Sequence, residues 1–382
     1  MLERSPQGLL LPALTTAHSH AFQRGMRGKA QRRHASTSDD FWTWRGQMYR
    51  AASALDPDTI YAVSKVAFDE LARAGVDTVG EFHYVHHAPD GTPYANRTEL
   101  AERVVDAALA AGLRISLLRT AYFRGGPGRP PEPGQRRFCD TDVDQVLSDV
   151  ERLRALYKDN PRVRVGLAPH SVRAVPPDLL VPLARYAELH GLPLHMHVSE
   201  QAREVEECVA ETGKRPAELL ADLGVLSSRF VAVHATQLEP HEARLLGEAR
   251  AFACVCATTE RDLGDGLPNL GAMREAGVRL CTGIDSHVVT DPFDDLRSLE
   301  THERLRTRAR VTFVPEGKTP AEQLWYEAAW NGALASGFDG PGSRIVIDPS
   351  HPTLALVDDD VLLDGIVFGG HPGLVTGFAP PK

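Results

Sequence analysis

The chain contains no C-x-x-C, and its five cysteines, Cys139, Cys208, Cys254, Cys256 and Cys281, are odd in number. That excludes a closed thiolate zinc cage and argues against a disulfide framework, leaving reduced thiols packed in a core. No apolar run approaches the roughly 18 to 20 residues of a membrane span. The N-terminus lacks a basic-then-apolar signal pattern, so the expected location is cytoplasmic. Lysine and arginine form no stripe and the net charge is −9, which gives a nucleic-acid partner no electrostatic support. No repeat of solenoid or propeller period is present. What remains is an ordinary globular composition, 42% hydrophobic and 24% charged over 382 residues, enough for one large core.

Apolar runs alternate with helical patterns along most of the chain. The runs are 8–16, 75–83, 113–123, 163–170, 192–198, 229–235, 251–257 and 278–285. Between them lie segments such as "DPDTIYAVSKVAFDELARAG" and "TELAERVVDAALAAG", each opened by a capping residue and closed by glycine. Eight strands alternating with helices predict an α/β fold, a (β/α)8 barrel. We expect the barrel over 12–335, with 1–11 and 336–382 forming a small β appendage, since the sequence after about residue 340 reads as short strands. The main biased stretch, "RGGPGRPPEPGQR" at 124–136, follows the third run; it reads as a disordered loop, with a mobile lid as the alternative.

A barrel places its chemistry at the carboxyl ends of the strands. His18 and His20 follow the first run, His197 ends the fifth, His234 the sixth and Asp285 the eighth. With period-two alternation His18 and His20 face one side of an extended backbone, so both reach one point. An isolated H-x-H is as often a solvated surface pair, but three further candidates at strand ends favour a metal site. Imidazoles with one carboxylate suit zinc or another borderline divalent ion with an open coordination position. His195 shares the parity of His197, and one of the two is expected to be structural. In "HVSEQ", Glu200 follows His197 by three residues, close enough to handle protons without binding the ion; the plain alternative is a carboxylate at a helix N-terminus.

The ordered motifs "HSHAFQR", "FWTWR", "VGEFHYVHH" with "DGTPY", "APHSVRAV", "HVSEQ", "VHAT", "DLGDG" and "GIDSH" span roughly residues 10–300. Together they resemble the amidohydrolase superfamily and, within it, the formimidoylglutamate deiminase family of histidine degradation. The resemblance implies that His18, His20, His197 and Asp285 hold a single zinc ion. It implies that Glu200, His234 and Asp285 act on the hydrolytic water, and that Gln23, Tyr84, His170 and Arg173 contact substrate. The substrate would be small and acidic, N-formimidoyl-L-glutamate, hydrolysed to N-formyl-L-glutamate and ammonia. An arginine fork suits one of its carboxylates, although Arg173 on its own reads equally as a surface ion-pair residue. Two alternatives are a related enzyme deaminating a cyclic amidine such as guanine, which needs an aromatic-lined pocket, and a non-catalytic metal-binding protein, which would have lost ligands or Glu200. Family members carry a longer N-terminal segment than the seventeen residues before His18, so either the appendage is reduced or this chain starts late. Assembly as a homodimer stays open.

Overall fold

The computed structural model describes residues 1–32, 40–312, 314 and 316–381. Eight parallel strands follow one another around a single sheet: Leu14–Ser19, Val76–His83, Arg114–Ala121, Val163–Pro169, Leu194–Val198, Phe230–His234, Phe252–Val255 and Arg279–Thr282. The first and last strands meet where His20 N–H donates to the Asp285 carbonyl (2.9 Å) and Ile284 N–H donates to the His18 carbonyl (3.0 Å). The barrel therefore closes through the residues that carry its candidate chemistry. The strands are buried almost throughout, as strands covered on both faces must be.

Helices intervene where the sequence places their signals. Before Pro57–Arg73, the Asp56 side chain accepts Thr59 N–H (2.8 Å), and Ile60, Ala67, Phe68 and Leu71 form the buried stripe. Gly75 (φ +91°) then admits the turn into the second strand. Glu99–Ala110 opens differently. Thr98 occupies the capping position, but its hydroxyl bonds Glu102 (2.6 Å) and caps no backbone N–H.

The run at 8–16 is two strands and not one. Gly8–Pro12 belongs to a separate antiparallel sheet with Glu3–Ser5, Arg344–Ile347 and Val375–Ala379, and the barrel strand begins at Leu14. Pro12 has no N–H to extend a ladder, and Ala13 N–H turns aside to the Ser343 carbonyl (3.0 Å). This small sheet docks at the amino ends of the first two barrel strands, where Ser343 Oγ donates to Asp77 (2.8 Å), far from the barrel mouth.

Two expectations need correction. The tail is not wholly short strands, because Leu362–Gly369 is a helix that buries Leu362, Ile366 and Val367 at helical spacing. Residues 124–136 are not a disordered loop either. Arg124 donates to the backbone carbonyls of Val172 and Arg173 and pairs with Glu211 (2.5 Å), while Arg129 pairs with Glu207 (2.8 Å). Fully buried Gln135 donates to the hydroxyls of Tyr49 (2.9 Å) and Tyr122 (2.7 Å). All five cysteines are free, and all except half-buried Cys139 lie in the core. Among the described residues no helix is long and apolar enough to cross a membrane.

Candidate metal centre and substrate cavity

The residues singled out at strand ends converge. His18 Nε2 lies 3.2 Å from His197 Nε2 and 3.5 Å from Asp285 Oδ1, and His20 Nε2 is also 3.5 Å from Asp285 Oδ1. Four donors bound tetrahedrally at about 2.0–2.1 Å stand about 3.3 Å apart, so this spacing fits one zinc-sized ion. Ring orientation fits as well. His20 Nδ1–H donates to the Phe82 carbonyl (2.9 Å) and His197 Nδ1–H to the His170 carbonyl (3.1 Å), which leaves each Nε2 lone pair facing inward. Burial pushes His18 down to about 3 and His197 well below the usual histidine range, so these rings are neutral ligand donors at neutral pH. Burial alone would raise Asp285, but the His18 contact and the surrounding imidazoles outweigh it and hold the carboxyl ionised. His195 is elsewhere: its Nε2 donates to the Ala335 carbonyl (2.9 Å) deep in the barrel.

Backbone geometry aims these groups. His234 (φ +69°) and Asp285 (φ +52°) both sit in the left-handed region, each at a cost of about 1 kcal/mol or more, turning their side chains across the mouth at the strand ends. Just before Asp285, a Cβ on Gly283 would come within 2.8 Å of both His18 Cβ and Cys256 Sγ, so only glycine lets the last strand approach the first here.

Around the ligands is a buried proton-handling group. His234 Nε2 lies 3.7 Å from Glu200 Oε1 and 3.7 Å from Asp285 Oδ2, while its Nδ1 faces Glu260 Oε1 at 3.4 Å. Burial disfavours a charged His234, yet Glu200, Glu260 and Asp285 together raise it above the usual histidine range. Glu200 is raised as well, by burial first and then by the Asp285 and Glu204 carboxylates. The Glu204 side chain accepts from the backbone N–H groups of Ser199 (3.1 Å) and Glu200 (3.3 Å), and so fixes the turn that presents Glu200.

These groups open into a cavity at the barrel mouth. Gln23, from the short helix that His20 begins, donates to the Tyr84 hydroxyl (2.9 Å); His170 and Arg173 follow the fourth strand, and all four line the cavity. Arg173 is buried with Nη1 unpartnered. It is no surface ion-pair residue, since among the described residues it forms no ion pair. The sequence reading did not single out Arg45, Tyr49, Tyr122, Gln135, Glu204, Glu260 or Asp265. Arg45, whose Nη1 is likewise buried and unpartnered, lay within "FWTWR" and Asp265 within "DLGDG", where the motif was the only signal.

The matching family model, described as the amidohydrolase family, covers residues 9–345. The chain belongs to this family. Formimidoylglutamate deiminase of Pseudomonas aeruginosa is 37% identical over 95% of the chain and 81% of the relative. 8-Oxoguanine deaminase of the same organism is 28% identical over 87% of the chain and 71% of its own length. Among solved structures, an amidohydrolase from Brucella melitensis superposes with a TM-score of 0.87 at 33% identity, covering 98% of this chain and 90% of that one. An adenosine deaminase from Xanthomonas campestris with bound zinc, at 21% identity and TM-score 0.80, covers 97% of this chain and 79% of its own and shares the fold.

Proposed function

We propose that the protein hydrolyses N-formimidoyl-L-glutamate to N-formyl-L-glutamate and ammonia, with His18, His20, His197 and Asp285 holding one divalent ion, zinc by preference. The observation that carries the acidic substrate is the buried guanidinium of Arg173, with an unpartnered Nη1, lining the cavity into which the candidate ligand set opens; beside it half-buried Arg45 pairs with exposed Glu132 (3.8 Å) through Nη2 and leaves Nη1 unpartnered. A buried charge without an ion-pair partner is expensive; one carboxylate of the substrate would neutralise Arg173, and the second could reach the free Nη1 of Arg45. The P. aeruginosa relative carries the matching activity in its name.

When bound, the ion supplies Lewis acidity that makes a hydroxide nucleophile available near neutral pH. Glu200, His234 and Asp285 orient the attacking water by hydrogen bonds and hold its proton. Attack on the formimidoyl carbon gives a tetrahedral centre, and Glu200 delivers a proton to the imino nitrogen, which leaves as ammonia as the new C=O forms. His234, held by Glu260, donates to the oxygen as its charge grows. Gln23, Tyr84 and His170 position the substrate chain, and Arg173 binds one carboxylate through its planar fork.

One observation favours a second reading. Phe41, Trp44, Tyr49, Tyr84 and Phe138 line the same cavity, an aromatic wall suited to a flat heterocycle such as guanine. The buried Arg173, with no ion-pair partner among the described residues, argues the other way. The deciding experiment is ammonia release by zinc-loaded protein from N-formimidoyl-L-glutamate, N-formimidoyl-L-aspartate and guanine, each over a range of concentrations. A kcat/KM highest for the glutamate compound is expected; one highest for guanine would overturn the assignment.

A further inference from the structure

Beside the ligand set lies a second cluster of donor atoms. Glu200, His234 and Asp265 bring one ligand atom each within 4.8 Å of one another, and all three are buried. Asp265 comes from the turn after the helix Ala257–Leu263. Gln201 Nε2 donates to its Oδ1, and its carbonyl accepts Gln237 Nε2 (2.6 Å), so the residue is tied in place. Its Oδ2 is buried and has no hydrogen-bond partner. Among the described residues no lysine or arginine ion-pairs with Asp265 or Glu200, and the imidazole they share cannot balance both, because Asp285 and Glu260 also face it.

His234 joins this cluster to the first, since it also lies with His18 and His197 within 4.8 Å. His234 Nδ1 is committed to Glu260, so Nε2 is the atom that faces Glu200. Asp285 divides its oxygens, Oδ1 towards His18 and His20 and Oδ2 towards His234. One nitrogen and two carboxylate oxygens make a donor set suited to a first-row divalent cation.

Resting on the function proposed above, we propose that Glu200, His234 and Asp265 form a second divalent-cation site, filled when metal is in excess and inhibitory. The second ion displaces the Nε2 proton of His234, with any protons on the two carboxylates, to solvent and takes the lone pair so freed. Glu200 and His234 then cannot move protons for the reaction, and the enzyme stops turning over while its first ion stays bound. The site therefore sets an upper as well as a lower limit on the metal concentration at which the enzyme works.

The test titrates metal-free protein with Co2+ and with Zn2+, following bound metal by equilibrium dialysis and activity in parallel. In the wild type the first equivalent should activate, and a second, weaker one should bind and inhibit. Asp265→Asn should keep the first equivalent and weaken the second, with its inhibition, by at least about tenfold, in the range lost when a metal site loses a supporting group. Electron paramagnetic resonance of wild-type protein holding two Co2+ should show the ions magnetically coupled, a readout that needs no variant. A second equivalent bound equally well by Asp265→Asn, a second Co2+ uncoupled from the first, or full wild-type activity in excess metal would each overturn the inference. Failure of the first equivalent to bind or activate would instead strike the metal centre of the proposed function.

Discussion

Replacing Arg173 by methionine separates the two jobs a buried arginine can do. Met fills most of the volume of the aliphatic stem but carries no charge. The guanidinium is only 7% exposed, has an unpartnered Nη1 and faces no ion-pairing carboxylate of the protein. Burial opposes its charge while Glu204 and Glu200 favour it from beyond ion-pair distance, so the substitution should change the melting temperature little. With substrate bound, the same charge would be half of a buried pair, and losing one partner of such a pair costs about 2–4 kcal/mol. At about 1.4 kcal/mol per tenfold, kcat/KM for N-formimidoyl-L-glutamate should fall by about 30- to 700-fold. Formamidine has the reacting amidine and no carboxylate, and its slow turnover should be nearly unaffected. The assay is the ratio of the two efficiencies in each protein, with metal content measured alongside. An unchanged ratio in a folded, metal-loaded variant would refute the pairing; a large loss of stability would refute the claim that the charge is unpaired in the free protein.

Glu200→Gln keeps the shape of the side chain but cannot shuttle protons, so kcat should drop by about 100- to 10,000-fold while the first equivalent of metal binds as before; near-normal turnover would make Glu200 only a loop carboxylate. Thorough chelation should abolish ammonia release, and one added equivalent of zinc should restore it; Asp285→Ala should remain inactive at that loading, and activity in metal-free protein would sink the metal centre. Glu70 is a test of acid stability. Burial would raise its carboxyl, but Arg24, Arg27 and Thr290 hold it down to about 2, and a depressed folded-state value contributes stability that is present above the unfolded pKa and lost as pH falls through the folded one. The melting-temperature gap between wild type and Glu70→Gln should thus be largest near neutrality and shrink from about pH 4.5 towards about pH 2; a gap independent of pH would mean that the ion pairs contribute nothing.

The coming together of His18, His20, His197 and Asp285 was legible because it follows from position and parity: polar residues ending apolar runs, at the end of the barrel where chemistry collects. His195 and His197 could not be separated that way, since both have the same parity. The difference lies in the Ala335 carbonyl, 140 residues away, which takes the deeper ring. Arg45 was invisible for a related reason. Its helix Phe41–Ser53 lies in no strand run, and only the fold brings its guanidinium to the cavity. Gln135 sits in a stretch whose proline and glycine content suggests disorder, yet its amide binds two tyrosine hydroxyls contributed from other parts of the chain. Composition reports what a segment can do alone, and these bonds are tertiary. The break at Ala13 escaped notice because Leu11 and Leu14 are both fully buried, one under each sheet, so hydrophobicity runs on where the strand does not.

The meeting of His18 and His20 with Asp285 at the barrel seam has a kinetic meaning. Closing a segment of this length costs about 5 kcal/mol of chain entropy, and contacts so distant in sequence form late in folding. During synthesis, Asp285 cannot reach the opening histidines until nearly three quarters of the chain has been made. Any ion captured earlier would be held by the histidines without the carboxylate, in a weaker and exchangeable state. On the proposed metal centre, metal selection would fall at the last stage of folding, and an ion that cross-links the seam would slow the barrel's reopening, so the lifetime of the native state should lengthen with zinc even where the refolding rate does not change.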